Sequence, residues 1–574
     1  MMMFTQEQQL GQVLVTQGKL DADDLEQAIR EHNKTGDRLA AVLVRMGLSS
    51  EEDVQRALAE QLQMPFAKIS DHQVPKDVIE KIPAKLVNHY NLIPLELNNG
   101  VLRVAVVDPL NMHMLDDLRF LLKVEIEPVV STQKEIDDAV KRYYGIGAAT
   151  VEGLIEDQRD DGNPVDTERG IENIDEMAED ASIVRFVNQI INEAMNDRAT
   201  DIHVEPLEQE LRVRYRIDGI LYEAAIPPSI KRFQSAIISR VKIMADLNIA
   251  ERRLPQDGKI KIRAGEKEYD LRVSTVPTPY GESIAIRILS RESELVSLER
   301  LGLDEHNLGL MSSMIEKPHG ILFVTGPTGS GKSTTLYASL STINKVDKKI
   351  LTVEDPIEYR IPGVTQVQVQ EHIDLTFKHV LRSFLRQDPD VIMVGETRDA
   401  ETAQTAIQAA LTGHMVFSTL HTNDACGAVS RLLDMGIEPF LIASSVEGLI
   451  AQRLVRVLCV HCKETYTPPD EVLERLRQQK INIEGANFMR PVGCEKCRFT
   501  GFRGRTAIYE IVKITEALKA LIVERRPANV LKKQALADGL RTIREDGFLK
   551  VHAGTTTIDE VMRVTMEEEF NDPA

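Results

Sequence analysis

The chain has 574 residues, 43% hydrophobic and 28% charged, with a net charge of −20. That length exceeds what one hydrophobic core supports and predicts three or more domains. The acidic balance argues against a general nucleic-acid coat, and no run nears the roughly 18 apolar residues of a spanning helix. With no basic region and apolar run at the N-terminus, a cytoplasmic protein is expected. Five cysteines are too few for a disulfide framework.

The first 62 residues repeat with a period of 29. Leu10 falls over Leu39, Leu14 over Leu43, Gly18 over Gly47, Leu25 over Val54 and Ala28 over Ala57. Each copy reads as helix, glycine stop and second helix. From Pro65 to Gly145 the pattern turns mixed α/β, with a strand in VLRVAVVDP and a capped helix in STQKEIDDAVKRYYG. Residues 1–145 therefore form one N-terminal module. Residues 146–181 read as an acidic flexible linker, since VEGLIEDQRDDGNPVDTERGIENIDEMAEDAS holds twelve acidic and two basic residues. Residues 182–298 predict a small α+β domain, from a helix at Ile183 and alternating strands in DIHVEPLEQELRVRYRIDGILYEAAI and KEYDLRVSTVPTPYGESIAIRIL. Residues 299–574 alternate apolar strands with helices, as a parallel sheet requires.

The strongest motif is ILFVTGPTGSGKSTTLYASL. A strand at Ile321–Val324 runs into Gly326, Pro327, Thr328, Gly329, Ser330, Gly331, Lys332, Ser333 and Thr334, followed by a helix. This is a P-loop in its confirming context. Glycines let backbone N–H groups wrap ATP phosphates, Lys332 reaches the β- and γ-phosphates, and the Ser333 hydroxyl ligates Mg²⁺. In DPDVIMVGETRD a second strand, Val391–Val394, leads to Glu396, placed to hold Mg²⁺ through water or to polarise the attacking water. TVEDPIEY ends a third strand with Glu354, Asp355 and Glu358. LTGHMVFSTLHTNDA contributes His414 and His421 around a short β run.

Two C-x-x-C pairs, Cys459 with Cys462 and Cys494 with Cys497, stand 31 residues apart. Four thiolates suit a structural Zn²⁺ site within an insertion at about 458–508, and His461 is an alternative ligand. Cys426 is left over as a small core residue.

Together the boxes GPTGSGKST, TVEDPIEY, VGETRD and TGHMVFSTLHTNDA resemble the secretion ATPase superfamily, and within it the type II secretion and type IV pilus assembly ATPases. RATDIHVEP, RYRIDG, ERRLPQDGKI and GLRTIREDGFLKVHAGTTTIDEVMRVT extend the resemblance over essentially the whole chain. It implies a RecA-like P-loop domain, a preceding α+β (PAS-like) domain, and a homo-hexamer with ATP between subunits. Arg214, Arg216, Arg272 and Arg287 lie where the family carries interface arginines, whose charge would stabilise phosphoryl transfer. The resemblance also makes Glu358 or Glu354 a rival to Glu396 as the water-polarising group. The tetracysteine insertion marks assembly-type members, which act at the inner membrane with a platform protein and its cytoplasmic adaptor; no nucleic-acid partner is expected. The rival reading is a DNA-translocating ring. The N-terminal repeat partly resembles a tandem cyclic di-GMP motif, with Gln9 and His32 in copy one and Arg38, Ala40 and Gln61 in copy two. Docking alone and dinucleotide binding are both open.

Overall fold

The computed structural model describes residues 6–148, 150–151, 181–264, 267–290, 297–479 and 481–565. They fall into two compact units, Met1–Leu289 and Ser290–Ala574.

The first unit opens with four helices, Gln6–Thr16, Ala22–Thr35, Leu39–Arg45 and Glu51–Gln61. Their shared core is built from the repeat itself. Leu10, Leu14, Leu25 and Ala28 meet Leu39, Leu43, Val54 and Ala57, the same positions one period later. Gly18 and Gly47 end the first helix of each copy at φ of 67° and 69°, a left-handed conformation in which a Cβ would be strained. A three-stranded sheet follows (Leu92–Asn98, Val101–Val106, Glu125–Val130), with its last two strands parallel. The helix Gln133–Tyr144 then starts on a Thr132 cap that accepts from the Glu135 N–H.

Most of the expected linker lies outside the described residues. Its first residues depart from that expectation. The Ile146 N–H donates to Ala225 O at 2.7 Å, and Val151 is buried against the next core. Apolar side chains there find an interior to enter, and the acidic run begins only after them. That interior belongs to the helix Ala181–Asn196 and a six-stranded sheet. The sheet order is Ile220–Glu223, Leu211–Ile217, Asp201–Pro206, Gly281–Ser290, Lys267–Thr278 and Gln256–Ala264. Burial alternates along its strands, so Ile202, Val204, Val213, Leu271 and Ile286 face the helices while the intervening polar residues share the other face.

The second unit is a seven-stranded sheet ordered Thr365–Gln368, Ile350–Glu354, Val391–Val394, Met415–Leu420, Gly320–Thr325, Val446–Leu458 and Phe502–Lys513. All neighbours are parallel except the final antiparallel pair. The central strands are buried along their whole length, as expected for a sheet covered on both faces. No helix among the described residues is long and apolar enough to cross a membrane.

Because the two repeats share one core, Leu14→Ala and Leu43→Ala should destabilise the N-terminal module alike. Both side chains are fully buried, and each loss should cost about 2–5 kcal/mol. Hydrogen exchange of the four helices would measure both; a several-fold disparity between the two costs would contradict the shared core.

Candidate active site

The strand Gly320–Thr325 is flanked by Met415–Leu420 on one side and Val446–Leu458 on the other. Parallel strands present their carboxyl ends on one edge, and ligands of open α/β sheets bind there. On that edge stand the P-loop after Thr325, Glu396 two residues past Val394, and His421 directly after Leu420.

The loop is shaped from beneath by one glutamine. Gln452, buried in the adjacent strand, donates through Nε2 to Ser330 O at 2.8 Å and accepts through Oε1 from Thr335 Oγ1 at 2.7 Å. It thus ties the turn of the loop to the first turn of the helix Lys332–Ile343. It also explains two of the loop's glycines. A Cβ at Gly331 would lie 2.9 Å from Gln452 Nε2, and one at Gly326 would lie 2.6 Å from Gln452 O. Pro327, Thr328 and Gly329 form the exposed tip, and Ser333 is exposed in the helix's first turn beside Thr334. Lys332 Nζ bonds the carbonyls of Gly326 (2.8 Å) and Pro327 (3.0 Å), which keeps it at the mouth of the loop. Burial lowers the affinity of this amine for its proton, Glu396 restores part of it, and Arg453 opposes it again. A polyanion bound here would favour the charged form.

Glu396 meets Arg398 at 2.6 Å and His421 Nε2 at 3.7 Å, so the structure brings the Lys332, Glu396 and His421 of the sequence reading together. The strand ends are laced by hydroxyls: Thr397 bonds Ser418, Thr419 donates to Gly395 O, and Thr325 donates to Thr422 O.

Two residues expected to be catalytic make other contacts. His414 immediately precedes the strand that His421 follows, and its backbone carbonyl accepts from the Gly320 N–H at the far end of the P-loop strand. Six residues at about 3.3 Å each separate it from the loop. Its Nδ1 lies 2.9 Å from Ala409 O, at the end of the preceding helix. Glu354 does lie at the correct edge but is turned inward. Its Oε1 accepts from Thr352 (2.5 Å) and Gln366 (3.0 Å), and its Oε2 accepts from the Tyr337 hydroxyl. Burial, then the Glu354 carboxylate, push the Tyr337 phenol far above its ordinary pKa, so it remains a donor. Tyr337 Oη also receives the Glu358 N–H at 3.3 Å. The acidic box is therefore bolted to the P-loop helix through one tyrosine, and Glu358 is half-buried beside that bolt.

Gln452, Arg453 and Tyr337 escaped the sequence reading. A glutamine and an arginine interrupting the apolar strand VEGLIAQRLVRVL were the available signal. Tyr337 carried none, since a tyrosine on a helix is ordinarily core.

In the first unit the four candidate arginines lie on the polar face of the six-stranded sheet. Arg216 and Arg287 are both opposite Asp201 in register, at 3.7 and 3.2 Å from its carboxylate. Arg214 is 2.6 Å from Glu205, and Arg272 is opposite Lys259.

Cys459, Cys462, Cys494 and Cys497 converge, with Sγ separations of 3.8 Å (Cys459–Cys494), 3.7 Å (Cys462–Cys497) and 3.7 Å (Cys494–Cys497). Four sulfurs placed tetrahedrally about 2.3 Å from zinc would be about 3.8 Å apart. The set fits that ion, and His461 is exposed outside it. Cys426 is buried, as expected, and its thiol is pushed up to about 12 by burial. In the repeat module a cavity of about 660 Å³ is lined by residues including Lys19, Asp53, Arg56 and Phe66; Gln9, His32, Arg38 and Gln61 are not among them.

A P-loop beside a strand-end carboxylate and imidazole defines an ATPase. Residues 176–563 match the family described as type II/IV secretion system protein, and residues 62–150 match the MshEN domain. The chain is 43% identical to the type IV pilus assembly ATPase PilB of Myxococcus xanthus over 98% of this chain and 99% of that one. It is 42% identical to the type II secretion system protein E of Xanthomonas campestris pv. campestris, over 97% and 98%. The Legionella pneumophila ATPase DotB shares the fold, with a TM-score of 0.50 at 21% identity over 67% of this chain and 96% of that one. The chain belongs to the type II/IV secretion system protein family, and like its pilus-assembly and secretion relatives it is a motor ATPase with a RecA-like core.

Replacing Gln452 by leucine removes the acceptor and donor that hold the loop. Each buried partner left unsatisfied costs about 1–3 kcal/mol, so the KM for ATP should rise about tenfold while kcat falls less. A fall in kcat at unchanged KM would mean that Gln452 does not shape the loop.

Proposed function

We propose that this ATPase works as a cytoplasmic homo-hexamer, peripheral to the inner membrane, and powers assembly of a type IV pilus or a type II secretion pseudopilus. The observation that carries this reading is likeness over nearly the full length to relatives of both kinds. The tetracysteine cluster supports it, because the corresponding insertion is the mark of assembly-type motors. ATP binds at the P-loop with Mg²⁺ on Ser333. Lys332 neutralises the phosphates, and Glu396, next to His421, orients the attacking water, with Glu358 the remaining rival. Zn²⁺ held by the four cysteines is structural, since four sulfur ligands leave no open position.

The ring follows from an electrostatic need. Phosphoryl transfer builds charge that cations must meet, and the polar face of the six-stranded sheet carries several arginines, Arg216 and Arg287 flanking Asp201. Arg214, Arg216, Arg272 and Arg287 meet the phosphates when ATP closes an interface. The N-terminal module docks the motor to a membrane platform protein and its cytoplasmic adaptor. Calorimetry of the full chain with cyclic di-GMP tests dinucleotide binding there; Arg38, which would have to meet its phosphate, is 2.6 Å from Asp108.

Lys332→Ala should abolish ATP turnover and the assembled fibre together, with the protein still folded. Adding DNA to the wild type should leave turnover unchanged; strong stimulation by DNA would instead favour a polynucleotide motor. Removing zinc with a chelator, or Cys459→Ser, should lower the melting temperature of the insertion without changing nucleotide affinity. Metal analysis should give one zinc per chain, and a metal-free protein of unaltered stability would refute the structural site.

A further inference from the structure

The loop 422–425, Thr-Asn-Asp-Ala, directly follows His421, and its residues are small. Strand register shows how it is fixed. Glu510 is opposite Ala451, Ala451 opposite Thr325, and Thr325 opposite Leu420, so one row crosses four strands. Directly opposed residues project to the same face, and Arg453 shares that face two residues beyond Ala451. Three side chains of this face grip the loop. Thr325 Oγ1 donates to Thr422 O at 3.0 Å, and Arg453 Nη2 donates to Asn423 O at 2.9 Å. Glu510 Oε1 accepts from the Ala425 N–H at 3.0 Å.

Glu510 is the costly member. It is completely buried, and its Oε2 is 3.7 Å from Lys532 Nζ on the helix Ala528–Ala537. The lysine side chain is 26% exposed, and an ion pair with a buried partner is commonly no better for stability than apolar side chains of the same volume. A fully buried carboxylate is costly, and the backbone group it holds is the Ala425 N–H. We propose that Glu510 is a positioning residue for ATP hydrolysis: it anchors loop 422–425, and through it His421, with Lys532 as its counter-charge. The hydroxyl of Thr325 and the guanidinium of Arg453 hold the near side of the loop, and Glu510 holds the far side, where the helix Gly427–Asp434 begins. This role rests on the reading that Glu396 and His421 belong to the hydrolytic site.

The test is steady-state ATP hydrolysis by the full-length chain. A double variant, Glu510→Met with Lys532→Met, keeps the volume and removes both charges and the acceptor. It should melt at or above the wild-type temperature, with kcat down about tenfold to a hundredfold and KM for ATP nearly unchanged. Glu510→Gln keeps an oxygen for the Ala425 N–H and should retain most turnover. Wild-type kcat in the folded double variant overturns the proposal, as does a glutamine variant as impaired as the methionine pair. Should the pair fail to fold, Glu510→Gln and Glu510→Asp decide: glutamine keeps the reach and aspartate is one methylene short. Turnover kept by the first and lost by the second supports the role, and equal turnover overturns it. Glu396→Gln and His421→Ala, measured alongside, separate the two failures. If those variants hydrolyse normally, the reading of the hydrolytic site is what falls.

Discussion

A phosphate-binding loop must offer a bowl of backbone N–H groups with no side chain of its own in the way. In the C-terminal unit that requirement is met by one buried amide, Gln452, whose nitrogen and oxygen clasp Ser330 and Thr335. The glycines at 326 and 331 are needed because this strand packs so close beneath them. Loop shape, glycine pattern and the neighbouring strand are thus one solution. The parallel sheet then supplies the rest, since it delivers Glu396 and His421 to the same edge at no further cost in chain path.

Around this edge the polar groups divide by what they can still do. Glu354 has its oxygens filled by Tyr337, Thr352 and Gln366 and acts as a fastening. Glu396 instead meets the Arg398 guanidinium at 2.6 Å and lies 3.7 Å from His421 Nε2, side chains that can respond to an incoming anion. A carboxylate fixed by neutral donors stays put, whereas one balanced by cations is sensitive to every new charge nearby. On the first unit's sheet Asp201 and Glu205 balance the arginines in the same manner.

Much of this was legible in the sequence, and for definite reasons. The repeat showed which residues are core, because burial repeats with the helix pattern. The P-loop and the C-x-x-C pairs were legible because their chemistry demands fixed residue types at fixed spacing. What escaped were contacts made across the sheet. His414 and His421 are symmetrical in the text of LTGHMVFSTLH, and only the direction of a parallel strand reveals that they lie at opposite ends. Glu354 and Glu358 were indistinguishable until Tyr337 was seen to fill one of them. Gln452 and Glu510 lie in strands far along the chain from the loops they hold, and spacing carries no information about such partners. The linker boundary shifted for a simpler cause: Ile146 and Val151 are apolar and found a core.

The N-terminal repeat has a consequence of another kind. Its two copies contribute matching residues to one interior, so neither half has a core of its own. Such a duplication is locked together from within: a change at Leu14 must be accommodated by the packing around Leu43, and the reverse. The interior keeps apolar residues in both copies, Leu25 standing against Val54, whereas outside it the chemistry changes, with Gln9 against Arg38 and His32 against Gln61. A symmetric scaffold in this way presents two chemically unlike faces.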